Sequence, residues 1–243
     1  MISTAFGAFL HGFFALLPRF IIPFLVSWVA VLGLELLAGT RLRGHLRPHI
    51  LRVDEYLRSW ALSKRFRERG NPASDRHGRT WFMRFWTNFA SAISLITLSL
   101  ALAVGAHALK APHPVLFYFP GLCYLGSMAQ SYVSKRAIKR VRPPRDQGAF
   151  GFKMRDSSFP SGHSLTSFCF WFPFAVAVGA AGFGGGWAAF AALFALVTVG
   201  FTGLSRVYMG VHFPSDVLGG YTMGLVWTLM CVLVLLPILR GAW

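Results

Sequence analysis

The chain has 243 residues, of which 55% are hydrophobic and only 13% charged, and it carries a formal net charge of +16. Soluble domains contain about 25% charged residues, so this composition excludes an ordinary water-soluble protein and points to several membrane passages. The basic balance would suit nucleic acid, anionic lipid headgroups or a phosphorylated substrate. The basic residues sit between apolar runs, without zinc-finger spacing, an RNP-like motif or a long solvated basic domain, which argues against nucleic acid as a partner.

Residues 3–39 are almost continuously apolar, broken by Pro18-Arg19 and Pro23. As one helix that run would be about 55 Å long, against a hydrocarbon core of about 30 Å. It therefore divides into an interfacial segment over 1–19 and a first span over 20–37. No basic residue precedes the apolar stretch, so a cleaved signal peptide is not expected.

The segment 41–85 then holds twelve Lys/Arg and four Asp/Glu. Within it, Ile50, Val53, Leu57 and Trp60 recur at helical spacing, with Arg52, Arg58, Lys64 and Arg65 around the other faces. This pattern describes a basic amphipathic helix on a membrane surface, against anionic lipid headgroups. An ordinary solvated loop helix is the alternative. Gly70-Asn71-Pro72 marks a turn.

Further spans are expected over 86–108, 115–133, 164–181, 187–204 and 217–236. Pro112 and Pro114 punctuate one connection and 182–186, rich in glycine, another. A second basic stretch, 134–160, contains eight Lys/Arg and two Asp. Cys123, Cys169 and Cys231 all lie in apolar runs, far apart and without ligand spacing, and read as buried structural thiols. The expectation is one all-α domain over 1–243, an integral membrane bundle of six transmembrane helices. The interfacial N-terminal helix and the amphipathic helix in the first loop are additional to it.

Threading six spans puts 41–85, 134–163 and 205–216 on one side of the membrane, opposite 109–114, 182–186 and both termini. The first set carries 21 of the 24 Lys/Arg. The positive-inside rule thus favours a cytosolic position for that face of a multi-pass inner-membrane protein.

The unusual residues concentrate on that face. Lys135 and Arg142 can neutralise a dianion, and a guanidinium bonds two phosphate oxygens at once; interfacial snorkelling is the plainer account. Ser161-Gly162-His163 opens a helix, whose N-terminal amides form an anion site, although Ser161 is equally an ordinary N-cap. Arg206 follows the fifth span. His212 and Asp216 are four residues apart, so a carboxylate in the first turn of a helix beginning near Pro214 can reach back to the imidazole. Such a pairing fixes one tautomer and leaves the other ring nitrogen basic. Together, three cations, two histidines, a carboxylate and a helix N-terminus are the equipment for phosphoryl transfer through a covalent intermediate. Magnesium chemistry is disfavoured because Asp146, Asp156 and Asp216 are the only carboxylates near these motifs. No phosphate-binding loop of NTPase type is present.

Lys135-x6-Arg142-Pro143, Pro160-Ser161-Gly162-His163 and Ser205-Arg206-x5-His212-x3-Asp216 resemble, without departure, the motifs of the type 2 phosphatidic acid phosphatase (PAP2) family. The motifs span residues 135–216, and the six-span layout extends the likeness over most of the chain. The resemblance implies a metal-independent lipid phosphatase with no cofactor. In it His212 becomes a phosphohistidine, Asp216 orients it and His163 protonates the leaving group. Lys135, Arg142, Ser161, Gly162 and Arg206 would hold the phosphoryl oxygens. Undecaprenyl pyrophosphate, phosphatidic acid, phosphatidylglycerophosphate and a phosphorylated lipid A are all admissible substrates. A lipid phosphotransferase would use the same residues. A transporter or scaffold that binds anionic lipids would use the basic mouth without the chemistry.

Overall fold

Apolar runs this long must satisfy their backbone groups internally, and the chain does so with helices alone among the residues described. The computed structural model describes residues 2–29, 33, 46–66, 76–111, 113–144 and 156–239. In chain order these form α1 (Ile2–Leu16), a 3-10 turn (Leu17–Phe20), α2 (Leu46–Phe66), α3 (Arg76–Phe89), α4 (Ala92–Ala108), a second 3-10 turn (Pro114–Tyr118), α5 (Phe119–Ala137), α6 (Gly162–Ala180), α7 (Gly185–Tyr208) and α8 (Pro214–Leu239).

A 3-10 turn over Leu17–Phe20 falls where the N-terminal run is expected to divide. Pro18 sits at the start of the 3-10 turn, where its missing N–H costs nothing, and Phe6–Val29 forms one helical stretch apolar enough to cross a membrane. Leu16 and Phe20 are buried in the core, and α1 packs along α4. Most of the remainder expected for the first span, beyond residue 29, lies outside the described residues, as does the turn at Gly70-Asn71-Pro72.

Three more helices are long and apolar enough to cross: Gly162–Ala180, Gly185–Tyr208 and Pro214–Leu233. The run expected as the second span is bent by 52° between Thr80–Phe89 and Ala92–Ala108. Ser91 causes the break by capping α4, its hydroxyl accepting from the Ser94 N–H at 3.4 Å. The run expected as the third span is more polar than these. It is not among the described helices apolar enough to cross, and Ser127, Gln130 and Ser134 of α5 are fully buried.

Helix α6 is the hub, packing against α5, α7 and α8. At its far end, Gly182 (φ 76°) and Gly184 (φ 98°) turn the chain into α7 through backbone conformations that suit glycine. Trp227 Nε1 of α8 donates to the Cys123 carbonyl of α5 at 2.7 Å. Cys123, Cys169 and Cys231 are buried free thiols in this part of the core.

The amphipathic helix of the first loop is present as α2, and Ile50, Val53, Leu57 and Trp60 all face outward. Its inward face carries Asp54 and Arg58, which are 2% and 5% exposed, against α7 and α8.

Helix α8 approaches the start of α6 closely at Gly220, where a Cβ would stand 2.9 Å from the Ser161 carbonyl oxygen and 3.1 Å from the Leu165 nitrogen. Neither backbone atom can retreat cheaply. Gly220→Ala is expected to lower stability by about 1–3 kcal/mol, the usual cost of overpacking, and to push Ser161 away from Asp216. Gly200→Ala, whose Cβ would meet nothing within 4 Å, should leave the melting temperature in detergent unchanged or slightly raised.

Candidate active site

The last turn of α5 carries Lys135, and the chain leaves the helix at Ile138 in extended conformation. This strand-like segment lies beside residues 156–160. The Ser158 N–H donates to the Arg140 carbonyl at 2.9 Å, and the Arg140 N–H donates to Ser157 Oγ at 3.0 Å. The second segment leads into Ser161, the N-cap of α6, whose own N–H donates to the Asp216 carbonyl at 3.0 Å. Two motifs are thereby joined through backbone alone.

The third motif begins at the end of α7 with Ser205-Arg206. Gly210 (φ 68°) turns the chain, His212 follows, and Pro214 starts α8. Asp216 sits in the first turn of α8 and is fully buried. Its Oδ2 accepts from the Phe213 N–H at 2.9 Å and lies 3.5 Å from His212 Nδ1. That separation exceeds a hydrogen bond, and Nδ1 has no other partner among the described residues. A few tenths of an ångström of closure would make the bond. His212 Nε2 points the other way, 3.3 Å from Arg142 Nη1.

The remaining residues expected from sequence lie on the segments that meet here. Arg142 is anchored by donating to the Val211 carbonyl at 3.0 Å and the Asp156 carbonyl at 3.1 Å. Arg206 is 4% exposed, donates to Thr87 Oγ1 at 3.3 Å, and has a buried Nε without a partner among the described residues. His163, in the first turn of α6, lies within electrostatic reach of Arg206, His212, Lys135 and Arg142. Gly162 opens that turn, whose amides lack intrahelical partners. Ser161 is fully buried and does not cap α6 with its side chain; its hydroxyl accepts from Ser164 Oγ at 3.0 Å.

Several participants were not nominated by sequence. Lys135 and Arg142 are both paired with the Asp156 carboxylate, Arg142 Nη2 at 2.7 Å. Burial would raise that carboxyl, yet the two cations hold it below the usual carboxylate range. Arg140 turns inward and donates to Asp216 Oδ1 at 2.6 Å and Asp54 Oδ2 at 2.7 Å. Lys139 stays exposed, and Arg145 lies outside the described residues. Thr87 of α3 shares a 2.6 Å hydrogen bond with Ser205 Oγ, fastening the bent helix to the motif. Scarcity was the available signal for the carboxylates, since the chain has only eight Asp and Glu.

The sequence model of the PAP2 superfamily matches residues 118–238, which takes in every motif. Over 113 residues the chain is 36% identical to the lipid A 1-phosphatase of Rhizobium johnstonii, covering 41% of this chain and 40% of that protein. Over 97 residues it is 39% identical to phosphatidylglycerophosphatase B of Bacillus subtilis, covering 39% and 45% respectively. The chain thus spans less than half the length of these curated relatives. A transmembrane PAP2-type phosphatidylglycerolphosphate phosphatase from Bacillus subtilis has a similar fold, with a TM-score of 0.65 at 24% identity over 85% of this chain and 94% of that one.

His212 lies outside the spanning helices, and its pKa is pushed down to about 4, first by burial and then by Arg206 and Arg142, against the raising effect of Asp216. The imidazole is therefore neutral above about pH 4 and becomes charged only as pH falls through that value. Following the His212 ring by NMR in detergent should show this titration. Arg142→Gln removes a neighbouring cation and should move it to higher pH. Asp216→Asn removes the anion and should move it lower.

Proposed function

The chain belongs to the PAP2 superfamily, and from that premise we propose that it is a metal-independent phosphatase of membrane lipids, acting through a phosphohistidine on His212. The observation that carries this reading is the orientation of one ring. His212 turns Nδ1 toward Asp216 and Nε2 to within hydrogen-bond distance of Arg142; with the proton on Nδ1, the Nε2 lone pair is directed at the cations that would hold a phosphoryl group.

In this mechanism His212 Nε2 attacks phosphorus while Lys135, Arg142 and Arg206 balance charge on the phosphoryl oxygens. The α6 amides at Gly162, with Ser161 behind them, add dipolar support. The bond from phosphorus to the lipid oxygen breaks, and His163 donates the proton that this oxygen needs. Asp216 draws closer to Nδ1–H as the ring becomes cationic. Water then attacks the phosphohistidine and gives its proton to His163, the P–N bond breaks, and inorganic phosphate leaves.

The relatives named for lipid A 1-phosphate and phosphatidylglycerophosphate chemistry make these two lipids the first substrates to test. Phosphatidic acid and undecaprenyl pyrophosphate follow. Six crossings of the inner membrane are part of the reading, with the bent α3–α4 pair as one and α5 as the polar-lined sixth. The outward apolar residues of α2 lie in the interface, and its cations meet anionic headgroups. The charge distribution favours the cytosolic face for the site; impermeant thiol reagents labelling single cysteines in 46–66 from outside intact cells would reverse that assignment.

Purified protein in detergent is expected to release phosphate from at least one of these lipids, to be unaffected by chelators and to be inhibited by vanadate. His212→Ala should cut kcat by about 10³-fold or more, as loss of a nucleophile does, and His163→Ala by about 10²–10⁴-fold, the range for a general acid. Rapid quenching with a ³²P-labelled substrate should leave acid-labile, base-stable label on the wild type and none on His212→Ala. Phosphate appearing on an added alcohol and never free in solution would make the enzyme a transferase. Full turnover by His212→Ala would overturn the reading.

A further inference from the structure

Behind the histidine and its carboxylate lies a second layer that the motifs do not include. Asp54, on α2, is 2% exposed, and a buried carboxylate persists only when fully partnered. It is. Oδ1 accepts from the Ser215 N–H at 2.9 Å, while Oδ2 accepts from Ser215 Oγ at 2.5 Å and Arg140 Nη2 at 2.7 Å. The other end of the same guanidinium, Arg140 Nη1, donates to Asp216 Oδ1 at 2.6 Å and to Ser215 Oγ at 2.7 Å. The Phe213 ring lies 4.7 Å from the guanidinium carbon and closes its flat side.

We propose that Asp54 is a positioning residue for the reaction, acting through Arg140 and Ser215 to hold Asp216 where His212 needs it. This rests on His212 being the nucleophile.

Two physical effects combine. The Ser215 amide is in the first turn of α8, where N–H groups have no intrahelical partner, so Asp54 caps α8 from another helix and complements its dipole. The cap fixes the turn from which Asp216 projects. The second effect is electrostatic. Arg140 alone would neutralise Asp216 and leave His212 with no net counter-charge, among the cations Lys135, Arg142 and Arg206 and beside His163. With Asp54 present, the chain of Asp54, Arg140 and Asp216 keeps one net negative charge, available to the imidazolium that forms as phosphorus is attacked. Arg suits the middle place because its planar fork spans two carboxylates, whereas a lysine ammonium is a single point charge.

Asp54→Asn preserves shape and removes only the charge. Its kcat should fall about 10- to 100-fold, the usual loss when a partner that orients an active ligand is removed, with KM near that of the wild type because no substrate contact is lost. Arg140→Lys is the second variant, expected to lose kcat in the same direction even if Asp54→Asn folds poorly. The double variant should lose little more than either single one, since both break one chain. A second readout does not require turnover. Nitrogen NMR of ¹⁵N-histidine-labelled protein should show His212 as a single Nδ1–H tautomer in the wild type and a mixture in both variants. A wild type inert toward every lipid phosphate would count against the phosphatase reading, while the tautomer spectra would still judge Asp54. An unchanged tautomer, or an unchanged kcat in folded variants of an active enzyme, would overturn the proposal.

Discussion

One residue carries more of this site than any other. The backbone carbonyl of Asp216 accepts from Ser161, and its carboxylate accepts from Arg140 and Phe213 while facing His212. Through those contacts the start of α6, the start of α8 and the extended segment after α5 become one body. A carboxylate buried this completely is tolerable only because every one of these donors is present. The position of the histidine is therefore a consequence of charge satisfaction below it, and the three distant motifs are held by a single acceptor.

The same logic governs the cations. A mouth rich in Lys and Arg repels itself, and in a low-dielectric setting that repulsion is costly. The chain distributes its few carboxylates against it: Asp156 between Lys135 and Arg142, Asp54 and Asp216 on either side of Arg140. Arg206 is held differently, by the Thr87 hydroxyl in a buried setting. Pairing keeps the cations at fixed positions while leaving the His212 imidazole neutral, the state that the proposed attack requires.

Helix α2 links this interior to its surroundings. Its outward face presents Ile50, Val53, Leu57 and Trp60, and its inward face delivers Asp54 and Arg58. Arg58 donates to the Pro144 carbonyl at 2.9 Å, tying the helix to the segment that also carries Arg140 and Arg142. The other residues of the helix over 48–60, charged Arg52 and Glu55 as well as the apolar ones, stay exposed, so this stretch turns only Asp54 and Arg58 inward.

Much of this was legible in one dimension. Apolar runs of fixed length demanded helices, because no other open structure satisfies its backbone in lipid, and the spacing of Lys135, Arg142, Ser161, His163, Arg206, His212 and Asp216 suggested the chemistry proposed for them. Local pattern could also anticipate that His212 and Asp216 meet, since four residues is one helical turn. What remained hidden depends on contacts between segments far apart in the chain. Asp54 and Arg140 are separated by 86 residues, and no periodicity states which face of α2 turns inward. The break at Ser91, the continuation of the helical run past Pro18 and the pairing of Lys135 with Asp156 are likewise outcomes of packing. Residue types and their spacing determined which groups could react. Only the tertiary fold decided which ring nitrogen points at the cations, because that choice depends on where the buried carboxylates find their partners.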